Sequence, residues 1–114
     1  TVYAASKAAL VAMTKNAAFS LMRDGIRVNA LAIGWMDTPA EDITQKQFHD
    51  MPDGWQADVG KELPAGRLLR MNEVARWIVH LASDESGIMT GPVLDLDHGV
   101  IGCYEGTPLP AKLD

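Results

Sequence analysis

The chain has one cysteine, Cys103, in 114 residues. No disulfide can therefore close within it, which fits a reducing, cytoplasmic compartment. Basic side chains are in the minority, 10 against 15 acidic ones, for a formal charge of −5. No basic cluster is present to meet phosphates, so nucleic acid is not an expected partner. No apolar run approaches the ~20 residues that cross a bilayer, and the opening Thr1-Val2-Tyr3 does not read as a secretory leader. His49, His80 and His98 do not fall at metal-ligand spacing. They are read as structural or solvated, and no metal is expected. There is no internal repeat. Aromatic residues make up only 6% of the chain, so its three tryptophans stand out, two of them (Trp35 and Trp55) in one segment.

What is present begins with Tyr3-Ala4-Ala5-Ser6-Lys7. On a helix, positions i and i+4 share a face, so the Tyr3 phenol and the Lys7 ammonium point into the same space. A cation held beside a phenol favours the charged form, the direction a general acid/base needs when it exchanges a proton with a carbinol or carbonyl oxygen. Taken alone, the spacing also suits an ordinary amphipathic helix with a half-buried Tyr and a solvated Lys.

The surrounding stretch, Thr1 to about Asp24, is rich in Ala, Leu, Met and Lys without interior Gly or Pro, and predicts a helix. Ala8, Val11, Ala12, Phe19 and Met22 supply an expected buried stripe, and Gly25 is placed to end the helix. Residues 26–33 predict a strand that is apolar on both faces after Arg27, as in a parallel strand covered on both sides. Gly34 ends it at the carboxyl edge, where open α/β sheets place their ligands. A second strand is predicted over 92–97 and a last helix from Asn72, as N-cap, to Ser83. Its expected apolar face is Val74, Ala75, Ile78, Val79 and Leu81, with Trp77 either in the core or at an oligomer contact. Two strands make a poor sheet by themselves, and an apolar share of 47% belongs to something well buried. Self-association is expected.

These segments resemble the short-chain dehydrogenase/reductase family. The matching residues are Tyr3-Ala4-Ala5-Ser6-Lys7-Ala8-Ala9-Leu10, Gly25-Ile26-Arg27-Val28-Asn29, Gly34 with Thr38-Pro39, Gly66-Arg67-Leu68, Glu73-Val74-Ala75, Leu81-Ala82-Ser83-Asp84, and Thr90-Gly91-Pro92-Val93-Leu94-Asp95-Leu96-Asp97. They run in the family's order over residues 1–99. The resemblance implies an α/β fold, the C-terminal half of a Rossmann-type doubly wound parallel sheet with two strands and three to four helices. It also implies a tail over 100–114. The family's Gly-rich pyrophosphate turn, catalytic serine and relay asparagine have no counterpart in these residues. The chain is thus expected to be inactive in isolation, as part of an enzyme or as a non-catalytic self-associating piece.

By the same resemblance, Tyr3 exchanges the proton while Lys7 favours the phenolate and hydrogen-bonds the nicotinamide ribose of NAD or NADP. Cofactor contacts are implied for Tyr3, Lys7, Ile33, Gly34, Met36 and Thr38, with Ile33 standing where the family usually has Pro. Trp35 and Met36 are implied substrate contacts. Residues 34–66 are expected to form a lid, with one short helix near Ala40 to Asp50. The alternative is a surface excursion anchored by its tryptophans. Asp37 has two readings, as a substrate contact or as the cap of the helix after Pro39. Asp95 and Asp97 share one face of their strand; a magnesium or hydrogen-bonding role and the capping of turns are both open. Cys103 and Tyr104 are candidates to close over a neighbouring pocket, and Pro108 and Pro110 exclude a helix in the tail. The expected activity is interconversion of a secondary alcohol, a sugar or polyol, with its carbonyl; 3-oxoacyl-carrier-protein reduction is the alternative. A homodimer or homotetramer is the expected assembly.

Overall fold

The computed structural model describes residues 1–100. The expectations placed on Cys103, Tyr104, Pro108 and Pro110 lie outside the described residues. The fold is α/β. In chain order the elements are α1 (Val2–Leu21), β1 (Ala30–Ile33), β2 (Met36–Asp37), α2 (Pro39–His49), α3 (Trp55–Glu62), β3 (Leu69–Arg70), α4 (Met71–Ala82) and β4 (Val93–Leu96). β1 pairs with β4, and β2 with β3. The bonds from Ala30 N–H to Pro92 O and from Gly34 N–H to Leu96 O advance in the same direction on both strands, so the first pair is parallel. The second is also parallel, with Met36 opposite Leu69 and Asp37 opposite Arg70. The chain divides into two compact units, Thr1–Ala32 with Ala75–Asp95, and Ile33–Val74 with the chain from Leu96.

In the first unit, α1 ends as its sequence suggests. A 3-10 turn, Met22–Asp24, leads to Gly25 at φ 72, whose N–H returns to Met22 O. The expected buried stripe is not the one used. Thr14 and Ala18 are buried, whereas Phe19 is 81% exposed and Ala8, Val11, Ala12 and Met22 are exposed too. Apolar residues occupy several faces of α1, so composition could not select the face that packs. Small size decides it at Ala18, whose Cβ lies 3.4 Å from where a side chain on Gly91 would begin.

The first predicted strand starts four residues late, at Ala30. Over 26–29 the backbone meets side chains and a turn instead of a full ladder. Val28 N–H donates to the Thr90 hydroxyl at 3.0 Å, and Gly91 N–H donates to Val28 O at 2.7 Å. The Arg27 guanidinium donates to the Ser86 hydroxyl and to the carbonyls of Ser83 and Met89. A charge there is satisfied by oxygen acceptors in the segment that follows α4, from Ser83 to Met89.

The second unit carries α2 and α3, where only one helix was expected. Its buried hydrophobic side chains are Trp55, Leu68, Leu69 and Val74. Leu81 is buried in the first unit, while Ile78 and Val79 on the predicted apolar face of α4 are 55% and 68% exposed. Asn72 is not the cap of α4 but lies inside it. Glu73 does the capping work: its Oε2 accepts from Arg70 N–H at 2.9 Å, and both its oxygens take the Arg67 fork at 2.9 and 2.6 Å.

That fork, together with the Arg70 amide, lowers the Glu73 carboxyl from 4.5 to about 2. A carboxyl depressed in the folded state stabilises above its unfolded value, and the contribution is lost as pH falls toward the folded one. Urea melts of wild type and Glu73→Gln should therefore differ most above pH 4.5 and converge between 4.5 and about 2. A gap that stays constant across that interval would refute the assignment.

Candidate active site

Tyr3 and Lys7 stand on the first two turns of α1, where the unbroken run of helix formers sets them on one face. Tyr3 is 74% exposed and Lys7 is exposed. The Lys7 Nζ lies 5.3 Å from the centroid of the Tyr3 ring, over its face, in a cation–π contact. The nearest side-chain bond is local, from the Ser6 hydroxyl to Tyr3 O at 2.7 Å. Among the described residues, neither the Tyr3 hydroxyl nor the Lys7 ammonium has a hydrogen-bond or ion-pair partner. Chemically this is a phenol and an ammonium, one helical turn apart, that no described residue engages.

The other predicted site residues, Ile33, Gly34, Trp35, Met36 and Thr38, fall in the second unit. They span the end of β1, all of β2 except Asp37's side of it, and the start of α2. Most of the polar backbone here is already used. Gly34 N–H donates to Leu96 O at 2.8 Å, Trp35 N–H to His98 Nε2 at 3.3 Å, and Trp35 O accepts from Leu69 N–H at 2.9 Å. Ile33 is 48% exposed, and Trp35 and Met36 are half-buried. The Thr38 hydroxyl oxygen caps α2, accepting from Glu41 N–H at 3.0 Å, which leaves its hydrogen free to donate. The cap is thus Thr38 and not Asp37. The Asp37 carboxylate instead accepts a long bond, 3.5 Å, from Gln56.

Trp35 and Trp55 stack with centroids 5.2 Å apart. Each indole N–H finds a carboxylate from the first turn of α2, Trp35 with Glu41 at 2.6 Å and Trp55 with Asp42 at 2.9 Å. Lys46 bridges Asp42 and Asp53 at 2.9 and 2.7 Å. Its ammonium, followed by the Trp55 N–H, holds the Asp42 carboxyl below the usual range. Trp55 is only 1% exposed, so it anchors the segment and offers no surface to a ligand. Glu41 and Asp42 were not singled out in the sequence. Their place two and three residues after Pro39 marks them as first-turn acids, though nothing local ties them to the indoles.

Asp97 caps a turn, one of the readings given to it, by accepting from Gly99 N–H at 3.2 Å, and it also packs against Gly34. Gly34 has no side chain, and a Cβ there would sit 2.5 Å from Asp97 Oδ1. The two meet because the carboxyl ends of paired parallel strands lie side by side. Among the described residues no three His, Cys, Asp or Glu side chains gather as metal ligands.

The profile of the family described as enoyl-(acyl carrier protein) reductase matches residues 1–101. The 3-oxoacyl-(acyl-carrier-protein) reductase of Thermotoga maritima is 42% identical over 101 residues, 89% of this chain and 38% of that protein. L-sorbose reductase of Gluconobacter frateurii, solved with NADPH and L-sorbose, superposes with a TM-score of 0.79 at 28% identity, over 90% of this chain and 41% of that one. Aldohexose dehydrogenase of Thermoplasma acidophilum gives 0.79 at 26% identity, over 96% and 44%. The chain belongs to the short-chain dehydrogenase/reductase family, and its fold is that of the Rossmann-type structures it superposes on. It spans 38% of the length of the curated relative just described.

Gly34→Ala should destabilise the protein by about 1–3 kcal/mol, the usual range for overpacking a filled site. Adding Asp97→Ala should return part of that loss, because the second change empties the space the new methyl needs. Denaturant melts of the four proteins check this, and strictly additive effects would show that the two residues do not compete for space.

Proposed function

We propose that this chain supplies the proton-transfer pair and the nicotinamide-side segment of an NAD(P)-dependent oxidoreductase acting on a secondary alcohol or its carbonyl. The observation that carries the reading is the Tyr3–Lys7 pair, one turn apart on an exposed face, with the ammonium 5.3 Å from the ring centroid and neither polar group engaged by described residues. Such a donor set suits the nicotinamide-ribose end of a dinucleotide. Lys7 offers N–H donors to ribose hydroxyls, and Tyr3 offers an O–H to a reacting oxygen. When bound, the dinucleotide supplies the hydride chemistry.

In this reading Tyr3 gives its hydroxyl proton to the carbonyl oxygen during reduction and takes it back from the carbinol during oxidation. Lys7 holds the ribose and keeps a positive charge beside the phenol. Ile33, Gly34 and Met36 flank the nicotinamide, the Thr38 hydroxyl donates its remaining hydrogen to it, and Trp35 and Met36 line the substrate side. Residues 34–66 act as the lid, which α2 and α3 make a built structure and not a loose loop. A cytoplasmic location and a homodimer or homotetramer complete the proposal. Phe19, Met13, Trp77, Ile78 and Val79 are large apolar side chains left exposed on α1 and α4, as subunit contacts would be.

A sugar or polyol is the favoured substrate, supported by the likeness to the L-sorbose reductase and the aldohexose dehydrogenase. The second reading, 3-oxoacyl thioester reduction, is favoured by the 42% identity to the Thermotoga maritima reductase. Assays with a sugar panel and a 3-oxoacyl thioester separate them, since turnover of the thioester alone would sink the sugar reading. For the proton pair, Tyr3→Phe removes one oxygen from an exposed site. In the natural full-length protein it should leave thermal stability unchanged and lower kcat about 10²–10⁴-fold, the usual contribution of a positioned general acid. Undiminished turnover in that variant would remove Tyr3 from the mechanism.

A further inference from the structure

The chain leaves the β1–β4 ladder at Gly34, and the amide of Trp35 is left without a strand partner. A side chain supplies the acceptor: Trp35 N–H donates to His98 Nε2 at 3.3 Å, across 63 positions of sequence. A ring nitrogen that accepts carries no proton, so the neutral imidazole has its proton on Nδ1. That nitrogen is buried and lies 2.9 Å from Asp97 Oδ1 without forming a proper hydrogen bond to a described residue. The His98 side chain is 18% exposed and that of Asp97 23%. Both residues are also tied elsewhere. His98 O accepts from Ala65 N–H at 2.8 Å, and Asp97 Oδ1 accepts from Gly99 N–H at 3.2 Å. The Asp97 carboxylate fills the space that a side chain at Gly34 would occupy.

We propose that His98 and Asp97 are a positioning pair: the imidazole fixes the Trp35 amide, the carboxylate packs on Gly34, and together they hold Gly34–Met36 in one conformation. The significance of that segment rests on the reading above, in which Gly34 and Met36 face the nicotinamide and Trp35 faces the substrate. Neither His98 nor Asp97 touches the reactants in this scheme. They act through Gly34 and Trp35, so their effect falls on binding more than on the chemical step.

Two variants separate the hydrogen bond from the packing. His98→Phe keeps a ring and removes the acceptor, while His98→Gln can bring an amide oxygen near the position of Nε2. In the natural full-length protein, ¹⁵N spectra of wild type should show the proton on Nδ1 of His98, and the Trp35 amide should exchange slowly. His98→Phe should speed that exchange about tenfold, the size expected for one lost hydrogen bond. It should also raise the Kd for NAD(P)H and the substrate KM several-fold with kcat changed less, and His98→Gln should recover most of each.

A proton on Nε2, or a Trp35 amide that exchanges equally fast in wild type and His98→Phe, overturns the proposal. So does a His98→Gln protein as impaired as His98→Phe. If His98→Phe does not fold, the wild-type imidazole spectrum and Trp35 exchange still decide. Wild-type protein that binds neither NAD nor NADP would instead sink the oxidoreductase reading, with the spectra and exchange rates still judging the pair.

Discussion

Two backbone hydrogen bonds, Ala30 N–H to Pro92 O and Gly34 N–H to Leu96 O, bring together strands far apart in sequence. Closing so long a loop costs little more than closing one half its length, because the entropic term grows only logarithmically. The pairing therefore tolerates a crossover that holds two helices, a short parallel strand pair and α4. It also dictates what happens at the carboxyl edge. With both strands pointing the same way, the residues just past each of them, Gly34 and Trp35 on one side and Asp97 and His98 on the other, must pack together or clash. A residue without a side chain at position 34 is what lets the Asp97 carboxylate in.

The crossover is ordered by a different interaction. Two stacked indoles would by themselves be free to slide, since π contact is weakly directional. Here each indole N–H is pinned by its own carboxylate, Glu41 for Trp35 and Asp42 for Trp55, and Lys46 balances the second acid together with Asp53. Thr38 and Pro39 start α2 so that its first turn presents both acids. A capping residue thereby decides where two tryptophans rest. Trp55 is the buried anchor, and Trp35 remains partly accessible.

α1 shows the opposite economy. It buries little beyond Thr14 and Ala18 and leaves Tyr3, Lys7, Met13 and Phe19 open. Its Thr14 hydroxyl returns to Leu10 O, as an interior helical threonine commonly does. A run so rich in Ala favours the helix that sets these two side chains one turn apart.

Local chemistry in the chain was enough for the helix from Val2 to Leu21, its Gly25 stop, the Tyr3–Lys7 register, the α2 helix and the approximate place of β1 and β4. Each follows from propensity, capping or periodicity within a few residues. Position in space settled the rest. That Thr38 caps α2 in place of Asp37, and that Glu73 does so for α4 in place of Asn72, depends on which side chain meets a free N–H. That α1 packs through Thr14 and Ala18 rather than Phe19 depends on the closeness of Gly91, and no pattern along an apolar helix encodes a neighbour. The meeting of His98 with Trp35 could be known only once β4 lay parallel to β1, because a hydrogen bond across 63 residues has no signature in either local segment.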